Sequence, residues 1–329
     1  MAPVLGVEGR PTPNPGPARG ADVLTQPGIP NEFALSTTCY GTRLRTIEDQ
    51  AFATVAMGFR RLEIGISESP VTLNGFEQSR RETGIEVRAI VAGCLDPQTN
   101  QTTGPKLGSP DEDLRERALN CMRRHLRLAQ KYECPVVIVR GCEFDDRGTR
   151  DDAERLRVRI LRDEHEDGVH EAARELVTRV QKKGSKQVEH LCRSLHTLLA
   201  EFPGMRIAIE VGRSLMDLLT FESVGWVLDD LERQGLGYWH DTGRVHQLER
   251  LGFLPQGAWL DAYATRLMGV HLQDAAEGAA EMPPGSGEVD FRLVKSYLGS
   301  GTERVVEVHS RHGRAEILSS VQFLVDKGF

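Results

Sequence analysis

Three acids and one imidazole stand out by position, because each falls at or near the end of a short apolar run in the second half of the chain. Arg206-Ile207-Ala208-Ile209-Glu210 and Gly237-Tyr238-Trp239-His240-Asp241 end in carboxylates, and Gly269-Val270-His271 ends in an imidazole. Val305-Val306-Glu307-Val308 carries a third carboxylate among apolar neighbours. Taken singly, each has an ordinary explanation as a helix cap, a satisfied core histidine or a solvated strand end. On successive runs they point to one site. If they converge, the carboxylates repel one another unless a cation lies between them. Oxygen donors with one nitrogen and no thiolate form a hard set, which favours Mn2+ most, with Mg2+ or Co2+ as alternatives, in an octahedral site over a structural zinc.

The elements that must position these residues alternate in type. The candidate strands are 33–37, 61–65, 86–92, 135–140, 206–210, 236–241, 267–271 and 304–308, several of them continuously apolar, as parallel strands covered on both faces should be. Between them, residues 47–57, 114–132, 187–202, 221–231 and 315–325 carry apolar positions at the three-and-four spacing of amphipathic helices. Alternating strands and helices imply parallel βαβ units. We therefore expect an α/β fold, a (β/α)8 TIM barrel over residues 32–329. An open doubly wound sheet would show a glycine-rich first turn, and Cys39-Tyr40-Gly41-Thr42 is not one. In such a barrel the C-terminal strand ends form the active face, which is where the four residues lie.

Composition narrows the partners. The 329 residues include 41 Lys and Arg against 48 Asp and Glu, a net charge of −7 with no basic block, which argues against nucleic acid. No apolar run approaches the ~20 residues of a membrane span. The six cysteines form no Cys-x-x-Cys pair and read as reduced thiols of a cytoplasmic protein. Residues 1–31 form a Pro/Gly-rich arm without the features of a signal peptide, expected to be a dispensable tail. The alternative is an arm anchored by Val23, Leu24 and Ile29 on the barrel floor or on a neighbouring subunit of a homo-oligomer. After the fourth strand, residues 143–183 make a charged helical insertion, expected to be a solvated helix rather than a lid or dimer arm. Its His165 and His170 are five apart, not the four of a zinc-protease helix. Gly285-Ser286-Gly287 is read as a turn capped by Asp290 rather than a phosphate cradle.

From about Phe33 to Phe329 the sequence resembles the xylose isomerase-like TIM barrels, a superfamily that includes sugar phosphate isomerases and epimerases. The carriers are Ala208-Ile209-Glu210, Asp241-Thr242-Gly243, Val270-His271-Leu272-Gln273-Asp274, the stretch Pro283-Pro284-Gly285-Ser286-Gly287-Glu288-Val289-Asp290-Phe291, and Glu307. In that family the matching residues hold one divalent metal, which implies the same role for Glu210, Asp241, His271 and Glu307. Two departures bear on the substrate. Ketose 3-epimerases of the family carry a histidine three residues beyond the aspartate, where this chain has Arg244, and an arginine six beyond the metal histidine, where it has Glu277. The AP endonuclease branch needs further histidines on the second and third strands, and Leu62-Glu63-Ile64-Gly65 and Ile90-Val91-Ala92-Gly93 have none.

The expected activity is a divalent-metal-dependent isomerase or epimerase of a keto-sugar or related polyhydroxylated carbonyl compound, working by proton abstraction through a metal-stabilised enediolate. Glu210 and Glu307 would serve as catalytic base and acid. Arg244, His246, Asp274 and Glu63 are expected to bind substrate. A dehydratase or lyase acting on an oxidised inositol or keto-sugar shares the first step and is the alternative. A non-catalytic metal-binding barrel is the rival from another class.

Overall fold

The computed structural model describes residues 28–68, 71–95, 103–161, 168–276 and 279–329. Eight parallel strands close into a barrel: β1 (Phe33–Ser36), β2 (Arg61–Ile64), β3 (Glu86–Val91), β4 (Val137–Arg140), β5 (Ile207–Glu210), β6 (Leu236–Asp241), β7 (Leu267–Leu272) and, after a hairpin described below, β10 (Glu303–Val306). Each strand pairs with its sequence neighbours, and β10 closes the ring against β1 through Phe33–Arg304 and Leu35–Val306. The (β/α)8 expectation is met. The hairpin, β8 (Asp274–Ala276) with β9 (Ala279–Met282), is antiparallel and was not anticipated from the sequence.

The helices are α1 (Ile47–Ala56), α2 (Phe76–Thr83), α3 (Thr103–Lys106), α4 (Glu112–Lys131), α5 (Arg147–Leu161), α6 (Val169–Glu201), α7 (Phe221–Asp230), α8 (Thr242–Arg250), α9 (Gln256–Tyr263), α10 (Phe291–Ser296) and α11 (Arg314–Asp326). Their starts are fixed by local chemistry: Thr46 Oγ1 accepts from Asp49 N at 3.0 Å before α1, Asp111 from Leu114 N at 3.1 Å before α4, and Asp290 from Leu293 N at 3.1 Å before α10. The expected helix 187–202 is only the second half of α6, which runs unbroken for 33 residues. The charged insertion therefore does not end at 183. It consists of α5 and the first turns of a helix that goes on to pack against the barrel. No described helix is long and apolar enough to cross a membrane.

Alternation along the strands builds two cores. Side chains such as Val137, Val139, Ile207 and Ile209 point outward under the helices, while Ala34, Ala89, Ile138, Ala208, Trp239 and Val305 fill the barrel. Trp239 dominates this inner layer. It fits because Gly269 faces it on β7, where an added Cβ would lie 2.2 Å from the indole ring. At the opposite, N-terminal end, Arg88 and Glu303 pair across the barrel at 2.5 Å. All six cysteines are buried and free of disulfides. Of the N-terminal arm, residues 1–27 lie outside the described residues, Val23 and Leu24 among them, and Ile29 packs against the cluster around Phe33 and Phe59.

Candidate metal centre

Two residues along each strand from the Trp239 layer, the inward positions change from apolar to ionisable. Glu210 ends β5, Asp241 ends β6, His271 lies near the end of β7, and Glu307 follows β10 directly, one residue beyond the strand expected to contain it. Parallel register sets Asp241 beside His271, and Glu307 N donates to Leu272 O at 3.2 Å, so consecutive strands deliver consecutive ligands. All four residues are buried, and one ligand atom from each lies within 4.8 Å of the others.

Their electrostatics are those of a box built around positive charge. Burial, together with the Glu210 and Glu307 carboxylates, pushes Asp241 up to about 7. Burial also opposes ionisation of Glu307, but Arg140, His271 and Arg213 outweigh it and hold that carboxyl down at about 2. Glu210 is likewise lowered, because Arg140 and His271 overcome its burial. The imidazole of His271 is wedged between acids: Nδ1 lies 2.5 Å from Glu210 Oε1 and Nε2 lies 2.7 Å from Glu63 Oε2. Nδ1 also lies 3.2 Å from Arg140 Nη2. A protonated Nδ1 suits the carboxylate and opposes the guanidinium, whereas a bare lone pair does the reverse. A ring nitrogen and carboxylate oxygens gathered at one point, with Asp241 pushed up by burial beside two other acids, could hold a divalent cation. The oxygen and nitrogen donors expected from the sequence are thus brought together and suit a divalent ion.

The remaining expected site residues are placed unevenly. Glu63 is buried behind His271 rather than facing the cavity, with Oε1 left without a hydrogen-bond partner. Asp274 gives both oxygens to the backbone, accepting from Ala275 N, Gly285 N, Gly287 N and Val289 N at 2.8–3.0 Å. It fastens the loop after β9, which also accounts for Gly285-Ser286-Gly287 as a turn. Arg244 is 8% exposed and borders the cavity, its Nε donating to Gly212 O at 2.7 Å, and its guanidinium makes no ion pair among the described residues. Burial lowers its pKa. His246 borders the same cavity, with Nε2 at 3.6 Å from Glu288 Oε2. Glu277 and His165 lie outside the described residues.

Three participants were missed by the sequence reading. Arg140, ending β4, donates from Nε to Glu210 at 2.5 Å and from Nη2 to Glu307 Oε2 at 3.0 Å. Gln273 Nε2 donates to Asp241 Oδ2 at 2.8 Å. Arg213 reaches Glu307 Oε1 at 3.1 Å and pairs with Glu281. The period-two signal existed for two of them, since Arg140 follows the inward Ile138 by two and Gln273 follows His271 by two.

A cavity of about 750 Å3 opens above this layer. Its floor includes Asp241, Arg140 and Gln273, and part of its wall is α5, through Arg150, Ala153, Arg157 and Ile160. The insertion is therefore not simply a solvated helix, because one face of α5 lines the space a substrate would use.

Residues 47–327 match the xylose isomerase-like TIM barrel family, and the chain belongs to it. No curated protein matches it in sequence. Among solved structures it is similar to 3-keto-D-glucoside 4-epimerase of E. coli, at 14% identity and a TM-score of 0.59 over 90% of this chain and 99% of that one. It is similar also to D-psicose 3-epimerase of Clostridium cellulolyticum H10, at 14% identity and a TM-score of 0.58 over 89% and 98% of the two chains. The IolI protein, solved with a bound zinc atom, is 12% identical at a TM-score of 0.54 over 90% and 97%. At these identities the likeness is one of fold.

Proposed function

We propose that this protein is a divalent-metal-dependent isomerase or epimerase of a keto-sugar or a related polyhydroxylated carbonyl compound. The observation that carries the reading is the convergence of Glu210, Asp241, His271 and Glu307, ligand atoms within 4.8 Å of one another, at the inner end of a cavity of about 750 Å3. That the folds it is similar to include epimerases of a keto-glucoside and of psicose supports the substrate class.

The four residues would hold the ion, Mn2+ first among the hard divalent ions, with Mg2+ and Co2+ as alternatives. When bound, the ion supplies Lewis-acid polarisation of a carbonyl oxygen. The rest falls to the chain. Glu210 and Glu307, held ionised by neighbouring cationic groups, come from β5 and the end of β10, with β6 and β7 between them, so one takes the proton α to the carbonyl and the other returns it to the opposite face. Arg244 and His246, on the cavity wall, bind substrate hydroxyl or acidic oxygens. Buried Glu63 orients His271 rather than touching substrate.

Solvent exchange tests this reading. Protein loaded with Mn2+ and incubated with keto-hexoses and 3-keto-glucosides in D2O should place deuterium at the carbon next to the carbonyl, followed by NMR. A metal-loaded protein that exchanges no proton in any of them would be a binding barrel and not this enzyme.

A further inference from the structure

The guanidinium of Arg140 stands where the ion would have to be. Its Nε lies 2.5 Å from Glu210 Oε2, and its Nη2 lies 3.0 Å from Glu307 Oε2 and 3.2 Å from His271 Nδ1. Three of the four ligand residues are thus in direct contact with one planar cation. Arg140 and Asp241 border the cavity, whereas Glu210, His271 and Glu307 do not, so the guanidinium separates those three from the space above.

We infer that Arg140 and a divalent ion are mutually exclusive occupants of the carboxylate box, with Arg140 the resident counter-cation that decides how tightly, and which, ion is held. The inference rests on the metal-binding reading above. An ion bonded to Glu210, Glu307 and His271 at about 2.1 Å would collide with a guanidinium already at hydrogen-bond distance from the same atoms. It would also meet a charge that cannot be discharged, because arginine does not deprotonate in proteins. The backbone is held by the barrel, Arg140 paired with Glu210 across β4 and β5, and Gly104 packs so closely on it that an added Cβ would lie 2.9 Å from the Arg140 carbonyl oxygen. Only the side chain is free to withdraw, and the cavity it borders is the space open to it. Arg213 makes a different contact: it reaches Glu307 Oε1 alone, is half-exposed, and is shared with Glu281. Arg244 contacts Asp241 only through its backbone N–H. Neither blocks the box.

Mn2+ titration calorimetry on the full chain and on Arg140→Gln reads the competition directly. The variant should bind Mn2+ at least about tenfold more tightly, because a unit like charge has left the site. A crystal structure of the wild-type protein soaked in Mn2+, with the ion located by anomalous scattering, should place the guanidinium off both Glu210 and Glu307. This second measurement decides the matter should Arg140→Gln not fold. Equal or weaker binding by a folded Arg140→Gln, or a loaded structure that keeps the Arg140 contacts, overturns the inference while leaving metal-dependent catalysis standing. A wild-type protein that takes up no Mn2+ beside an Arg140→Gln variant that does would uphold the exclusion and sink the metal-dependent function instead.

Discussion

Glu63 on β2 accepts a hydrogen bond from His271 on β7 at 2.7 Å across the interior of the barrel, on the ring nitrogen opposite the one turned toward the candidate ligands. A carboxylate in that place fixes the tautomer and raises the basicity of the coordinating nitrogen. Glu63→Gln keeps the volume and removes the charge. Mn2+ affinity measured by calorimetry should fall by roughly 10- to 100-fold. An unchanged affinity combined with a raised KM would instead make Glu63 a substrate contact.

Arg244 separates into two functions by atom. Its backbone N–H donates to Asp241 Oδ1, the cap of α8, at 2.9 Å, and alanine keeps that bond. Its buried guanidinium, which donates to Gly212 O, is lost in Arg244→Ala. We expect KM to rise roughly 10- to 100-fold, the worth of a charged hydrogen bond, with metal content per chain unchanged. Loss of metal along with activity would assign Arg244 to support of Asp241.

The Trp239 layer beneath the site rests on a missing side chain. In Gly269→Ala the new methyl would stand 2.2 Å from the indole, and His271, whose ring centroid is 5.2 Å from that indole, lies against the displaced group. Overpacking of this kind costs about 1–3 kcal/mol. Chemical denaturation should register that loss, and a variant as stable as wild type would mean that the indole has room to move.

The legible part of the site was the part that repeats. Glu210, Asp241 and His271 each close an apolar run at the same offset, so barrel geometry alone predicts that they meet. Arg140 obeys the same parity and was still overlooked. An arginine after Val137-Ile138-Val139 looks in sequence like a strand end reaching solvent, and only closure of the ring reveals the acids around it. Asp274 erred in the other direction, since an acid three residues past a ligand looks functional until the amides of Gly285 and Gly287, distant in sequence, are seen to fold back on it. Alternating charge disguised α5 for a similar reason. Its charges face solvent and cavity alike, and no periodicity distinguishes the two kinds of water.

His240 supplies a pH dependence independent of the metal. It faces away from the ligands, Nδ1 accepting from Tyr238 Oη at 2.9 Å and Nε2 donating to Gln256 Oε1 at 3.1 Å. Burial lowers its pKa from 6.5 to about 4. The folded protein keeps the ring neutral while the unfolded chain protonates below 6.5, so its contribution is complete above that pH and lost as pH falls toward about 4. The loss is about 3 kcal/mol. In His240→Asn, which retains an acceptor for Tyr238, the fall in unfolding free energy between neutral pH and pH 4 should be smaller by that amount. Identical falls in the two proteins would show that another group governs acid stability.

The residues proposed to move protons stand at the ends of barrel strands whose positions are set by closure of the ring, whereas Arg150, Ala153, Arg157 and Ile160 reach the cavity above them from a helix that sits outside the strand–helix repeat. On the proposed function, recognition would thus be shared between α8, which carries Arg244 and His246, and a helix that the strand framework does not fix. Exchange of α5 would reshape that part of the cavity wall without touching Glu210, Asp241, His271 or Glu307, which makes this helix a natural place for redesign.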